Sequence, residues 1–99
     1  MSIEQVVGMK QGIVYILRSL KTGRFYIGST NDLARRLNEH KNCRSKYTSE
    51  TGPYQLIFNQ TYETLSSARK IERWLKAQKS SKFIERIIQE GNIEKKLKV

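Results

Sequence analysis

From Gly12 the chain runs apolar without a break through "GIVYIL", rich in β-branched and aromatic residues, and turns polar at Arg18. A short continuous run of that kind predicts a strand buried on both faces. "LKTG" reads as a turn, with Gly23 available for a positive φ. "RFYIG" reads as a second strand ending at Gly28. Together they predict an antiparallel hairpin, Ile13–Arg18 against Arg24–Gly28. "STN" offers helix caps at Thr30 or Asn31, Asp32 suits a first turn, and the helix extends to about Lys41. "NCRSKYTSETGP" is a polar loop closed by Pro53, and "YQLIFNQTY" is a third strand. Thr64 caps a second helix patterned on Leu65, Ala68, Ile71 and Leu75. Ser80 and Ser81 break it and cap a third, carrying Phe83, Ile84, Ile87 and Ile88 and stopped by Gly91. The order β-β-α-β-α-α predicts an α+β fold: a three-stranded, mainly antiparallel sheet flanked by helices. Its core spans about residues 12–90, after a weakly patterned start at 1–11 and before a charged tail at 92–99.

Three ionisable side chains interrupt these apolar stripes. Leu33, Arg36, Leu37 and His40 fall on one face of the first helix. Glu72 lies in the second helix on the seam of Leu65, Ala68 and Leu75. Burying a lone charge is expensive, so the three need a common explanation. One is structural, an ion pair between Arg36 and Glu72 across two helices. The other is a cleft where both helices meet the sheet. Pattern alone leaves both open, since the edge of a stripe can be solvated and an arginine stem can lie along apolar surface. Tyr15 and Tyr26, each in mid-strand, pack as ordinary strand residues on the simplest view. Beside Arg36, His40 and Glu72 they make a set able to handle a phosphate: tyrosine hydroxyls that relay a proton, an arginine fork, and a carboxylate for one Mg²⁺.

Composition narrows the chemistry. Ninety-nine residues make one domain. The charge is +10, from 19 Lys+Arg against 9 Asp+Glu, with nine of the positives before Glu63 and ten after it. Positive charge spread along the whole chain predicts a basic surface rather than a basic tail, and nucleic acid as the first partner. The plainer alternative is basicity for solubility alone. A membrane surface is disfavoured, because no predicted helix is basic on one face and greasy on the other. One cysteine, Cys43, excludes a disulfide framework, and one Cys with one His cannot supply four zinc ligands. The start is too short and interrupted for a signal peptide, so a cytoplasmic location is the default expectation. Asp32 is the only aspartate, too little for a two-metal carboxylate cluster. Cys43 three residues after His40 is a poor thiol nucleophile among polar loop residues, and no phosphate-cradling glycine motif is present.

"VYIL" (Val14–Leu17), then "YIG" (Tyr26–Gly28), then "RRLNEH" resembles the GIY-YIG nuclease domain, found in some homing endonucleases and in the excision-repair nuclease UvrC. Small standalone bacterial members of that family look most similar. The resemblance runs from Gly12 to about Ile88; its specificity lies in the order and spacing of motifs that are individually short. It implies a three-stranded antiparallel sheet flanked by helices. It places the family's two motif tyrosines on Tyr15 and Tyr26, its helical arginine on Arg36, a histidine of some members on His40 and the metal-binding glutamate on Glu72. Asn92 matches by order alone an asparagine of some members. The first motif reads Ile-Val-Tyr here, and Ser29 stands where excision nucleases carry a lysine.

The activity so implied is a divalent-metal-dependent endonuclease. Glu72 would hold Mg²⁺ (or Mn²⁺), Arg36 would stabilise phosphate charge, Tyr15 or Tyr26 would position the attacking water, and His40 would relay or orient. A tyrosine with a pKa of about 10 is a poor base at neutral pH without a nearby cation. Arg35, Lys41, Arg44, Lys46 and Tyr47 are the expected nucleic-acid contacts around the first helix and its loop. DNA is expected before RNA, and DNA repair is the natural setting. No targeting domain is legible, which points to a separate targeting protein or to a non-catalytic binding module on the same fold.

Overall fold

The computed structural model describes residues 11–41 and 52–95. The sheet has the order β2-β1-β3, with β1 at Gly12–Ser19, β2 at Phe25–Thr30 and β3 at Tyr54–Tyr62. Both pairings are antiparallel. β1 is the centre, and Val14, Tyr15, Ile16 and Leu17 are each at most 1% exposed, which is why that run has no polar alternation. Its hairpin to β2 turns where expected, at Gly23 with φ +76°. The Ser19 hydroxyl stays inside the turn and accepts the N–H groups of Lys21 and Thr22 at 3.1 and 3.0 Å. A register shift between Ile16 and Leu17 bulges the pairing to β3.

Three helices are described: α1 (Leu33–Lys41), α2 (Leu65–Gln78) and α3 (Ser81–Glu90). Thr64 caps α2 and Ser80 caps α3, and Gly91 ends α3 in the left-handed conformation at φ +74°, all as the sequence predicts. The cap of α1 differs from the expectation. Asp32, not Thr30 or Asn31, accepts the Arg35 N–H at 3.0 Å, while Thr30 accepts the Asp32 N–H. The carboxylate outcompetes the hydroxyl for the orphan donor, and Thr30 instead locks the turn that aims it.

Val14 and Ile16 face α2 and α3, joining Phe58, Ala68, Ile71, Leu75, Ile84, Ile87 and Ile93 in one core. Trp74 and Phe83 close it edge to face, with centroids 5.5 Å apart. The start of β1 is pressed against α2: a Cβ on Gly12 would lie 2.6 Å from Leu65 Cα and from the Thr64 carbonyl oxygen. Beyond α3, Ile93 folds back onto β3. Its N–H donates to Gln60 Oε1 at 2.9 Å, and its carbonyl accepts from Gln60 Nε2 at 3.2 Å. None of the described helices is long and apolar enough to cross a membrane.

Candidate active site

Side chains of β1 alternate between the two faces of the sheet. Val14 and Ile16 point to α2 and α3, so Tyr15 points the other way. Its ring crosses Gly28, its partner on β2; a Cβ at Gly28 would overlap the Tyr15 hydroxyl and ring. The glycine that closes "YIG" is therefore a requirement of space. Tyr26 pairs with Leu17, on the same face, and stacks on Tyr15 with centroids 6.5 Å and planes 21° apart. Tyr54, at the start of β3, packs edge-on against Tyr26 at 6.0 Å.

The Asp32 cap fixes Arg36 in the opening turns of α1, where its N–H bonds the Asp32 carbonyl at 3.0 Å. Its guanidinium reaches down to the sheet: Nε donates to the Tyr15 hydroxyl at 3.3 Å, and Nη1 donates to Glu39 at 2.8 Å. The other Glu39 oxygen takes Arg35 at 2.7 Å. Burial pushes the Tyr15 phenol above its ordinary pKa; the Arg36 hydrogen bond and charge oppose that in part, and Tyr26 and Glu72 add to it. Hydrogen bonds to Tyr15 and Glu39 hold Arg36 still more firmly protonated. The same contacts, Arg36 first and Arg35 second, draw the Glu39 carboxyl below the usual range.

Glu72 follows the fully buried Ile71 on α2, and its own side chain is 19% exposed. Both carboxylate oxygens are engaged. Ser29, on the face of β2 that looks toward α2, donates its hydroxyl to Oε1. Lys76, one turn along the helix, donates to Oε2 at 2.6 Å. Tyr15 and Arg36 thus stand on one side of edge strand β2 and Glu72 on the other.

The Arg36–Glu72 ion pair left open by the pattern is not what forms. Arg36 pairs with Glu39 at i+3 and Glu72 with Lys76 at i+4, each finding a partner on its own helix. This removes the structural explanation for two of the three polar stripe residues and leaves them as a tyrosine-bound arginine and a half-buried carboxylate. A helical backbone carries His40 and Lys41, but their side chains lie outside the described residues, as do Arg44, Lys46 and Tyr47. Arg35 is exposed on α1. Asn92 is exposed just past α3, where the chain is tied to β3, at the sheet edge opposite β2.

Ser29, Lys76, Glu39 and Tyr54 contact the candidate residues and were not among the expected ones. The i,i+3 and i,i+4 spacings of Arg36–Glu39 and Glu72–Lys76 were visible in the sequence. Tyr54 needed the register across the bulge, and Ser29 needed the approach of α2 to β2.

Whether a divalent cation fits follows from the donors. Among the described residues no group of three or more His, Cys, Asp or Glu could hold a metal ion. Glu72 offers two carboxylate oxygens, Oε1 oriented by the Ser29 hydroxyl and Oε2 held by the exposed Lys76 ammonium. That set suits Mg²⁺ or Mn²⁺, which keep waters and take substrate phosphate oxygens, rather than a closed cage.

Comparison with known proteins agrees with this geometry. Residues 11–85 match the GIY-YIG catalytic domain family. A UPF0213 protein of Clostridium perfringens is 35% identical over 89 residues, 85% of this chain and 95% of the relative. One from Pectobacterium carotovorum is 37% identical over 81 residues, 81% of this chain and 80% of the relative. The solution structure of a UPF0213 protein from Bacillus halodurans superposes with a TM-score of 0.52 at 30% identity, covering 80% of this chain and 83% of that one.

Proposed function

This chain belongs to the GIY-YIG catalytic domain family, and from that premise we propose that it is a divalent-metal-dependent endonuclease hydrolysing phosphodiester bonds in nucleic acid, DNA before RNA. One observation carries the reading: Arg36 is hydrogen-bonded to the buried Tyr15 phenol on one side of edge strand β2, and the half-buried Glu72 is held by Ser29 of the same strand on the other, although the residues are far apart in sequence.

Glu72 would hold Mg²⁺ or Mn²⁺, which supplies positive charge at the scissile phosphate and at the leaving oxygen. Arg36 is the fixed cation on the other side. Its Nε is committed to Tyr15 and one Nη to Glu39, and Tyr26 also accepts from the guanidinium, so the fork is oriented before substrate arrives and its positive charge meets the charge developing on the phosphate. Tyr15 stays a neutral phenol at neutral pH, because burial raises its pKa. Its hydroxyl accepts from Arg36 Nε at 3.3 Å. Tyr26, stacked on Tyr15 but only half-buried, is the tyrosine that a water can reach. It positions that water for attack on phosphorus as the bond to the leaving oxygen breaks. His40, at the end of α1, would relay or orient, and Arg35, Lys41, Arg44, Lys46 and Tyr47 would hold the flanking strand.

The test is cleavage of labelled single-stranded, duplex, nicked and branched DNA and of RNA, with Mg²⁺, Mn²⁺ or EDTA. The expected result is metal-dependent cutting that Glu72→Ala abolishes and Arg36→Ala lowers by roughly 10²–10³-fold, as for loss of one preorganised donor. Circular dichroism must show both variants folded. Cutting that persists in folded Glu72→Ala would sink the assignment. Salt-sensitive binding with no cutting on any substrate would make the chain a binding module on the nuclease fold.

A further inference from the structure

Glu72 is held from two directions, and the two contacts differ in kind. Ser29 is part of β2, its place set by pairing with Val14 on the central strand. Its hydroxyl donates to Oε1 and orients the carboxylate. Lys76 is the opposite case: a flexible side chain, 55% exposed, whose ammonium sits 2.6 Å from Oε2. An ammonium on a carboxylate oxygen occupies the position a metal cation would take. It also places a like charge within a few ångströms of any cation bound there.

We propose that Lys76 is an intrinsic competitor for the metal site. It pairs with Glu72 while the site is empty and must swing away when a divalent cation binds, so it sets the metal affinity of the site. This rests on the reading of Glu72 as the metal ligand. The exchange is cheap, because an exposed i,i+4 pair of Lys and Glu is weak and screened. Lys76 also has somewhere to go. It lines a groove with Arg24, Tyr26 and Lys79, between β2 and the junction of α2 and α3. Ser29 is a positioning residue with the opposite effect: it keeps the carboxylate aimed, and its loss loosens the metal.

The experiment is Mn²⁺ binding to the full chain at low ionic strength, without nucleic acid, read from the electron paramagnetic resonance signal of free Mn²⁺. Lys76→Met is expected to bind about three- to tenfold more tightly than wild type, the gain from one lost pairing and one lost nearby positive charge. Lys76→Arg is expected to bind like wild type, and Ser29→Ala more weakly. Lys79→Met, which removes a positive charge from the same groove without touching Glu72, controls for general electrostatics and is expected to change affinity less than twofold. Circular dichroism checks each fold. Equal or weaker binding by Lys76→Met overturns the proposal, as does an equal gain in Lys79→Met. Binding that Glu72→Ala leaves unchanged, or no binding by any variant, overturns the Glu72 reading itself and this proposal with it. Glu72-dependent binding indifferent to Lys76 overturns only the proposal.

Discussion

Gly28 shows how one residue ties the motif to the site. Its missing side chain is the space that the Tyr15 ring fills. Gly28→Ala forces either the strand or the ring to move, and overpacking of this kind costs about 1–3 kcal/mol. A lowered urea midpoint should come with loss of the Arg36–Tyr15 contact, visible as a shift of the Arg36 side-chain NMR signals. An unchanged midpoint would mean the ring relaxes at no cost. Tyr15 makes a second prediction through pH. Its folded pKa is raised by burial above the unfolded value of about 10, so its contribution to stability is whole below pH 10 and is lost as pH rises through the folded value. Tyr62 is raised for the same reason and titrates with the same sign. Wild-type stability should therefore fall as pH rises above about 10. Tyr15→Phe should flatten that fall without abolishing it, as urea melts across the range would show. At this scale the sequence named Tyr15, Tyr26, Arg36 and Glu72 because charged and phenolic groups stood on apolar stripes. It could not name their partners. Ser29 and Tyr54 meet the site only through chain segments that are distant in sequence.

Elements were the most legible level, for physical reasons. β1 is apolar from Gly12 to Leu17 because β2 and β3 flank it and both its faces are covered there. α2 and α3 begin at hydroxyl caps and α3 stops at Gly91, each a local signal, whereas the left-handed Lys79 that ends α2 carries none. The Asp32 cap was missed because three adjacent residues can all cap, and geometry selects among them. The return of Ile93 to β3 was invisible for a different reason: nothing local demands it, and Gln60 carries no sequence signature of a clamp. That clamp replaces two backbone hydrogen bonds with one side-chain amide. Gln60→Ala should leave the Ile93 N–H and carbonyl unpaired at a cost of about 1–3 kcal/mol. The expected signs are faster hydrogen exchange at Ile93 and a lower urea midpoint, with the exchange of β1 amides changing only in step with global stability. Unchanged exchange at Ile93 would show that apolar packing alone docks the segment.

For the whole molecule the governing quantity is the charge of +10. It is not concentrated in a tail, and three of the ion pairs among the described residues lie on α1 or α2 beside the candidate site. Two consequences must be separated. On the proposed function, the site would act at one phosphate, whereas the surface would supply affinity over several. Only the second should depend steeply on salt, because neutralising a polyanion releases its counterions. For a duplex footprint of about five phosphates, raising monovalent salt from about 50 to 200 mM should weaken binding by roughly 500-fold. Glu72→Ala and Tyr26→Phe should leave that slope unchanged in metal-free buffer, since neither adds or removes a phosphate-binding cation. Replacing Arg35 by Ala should reduce the slope by about one unit if it meets a phosphate, and weaken all sequences alike. Fluorescence anisotropy with a labelled duplex across a salt series decides this. A salt slope near zero would mean that the basic surface is not the binding surface, and the positive charge would then be left to serve solubility alone.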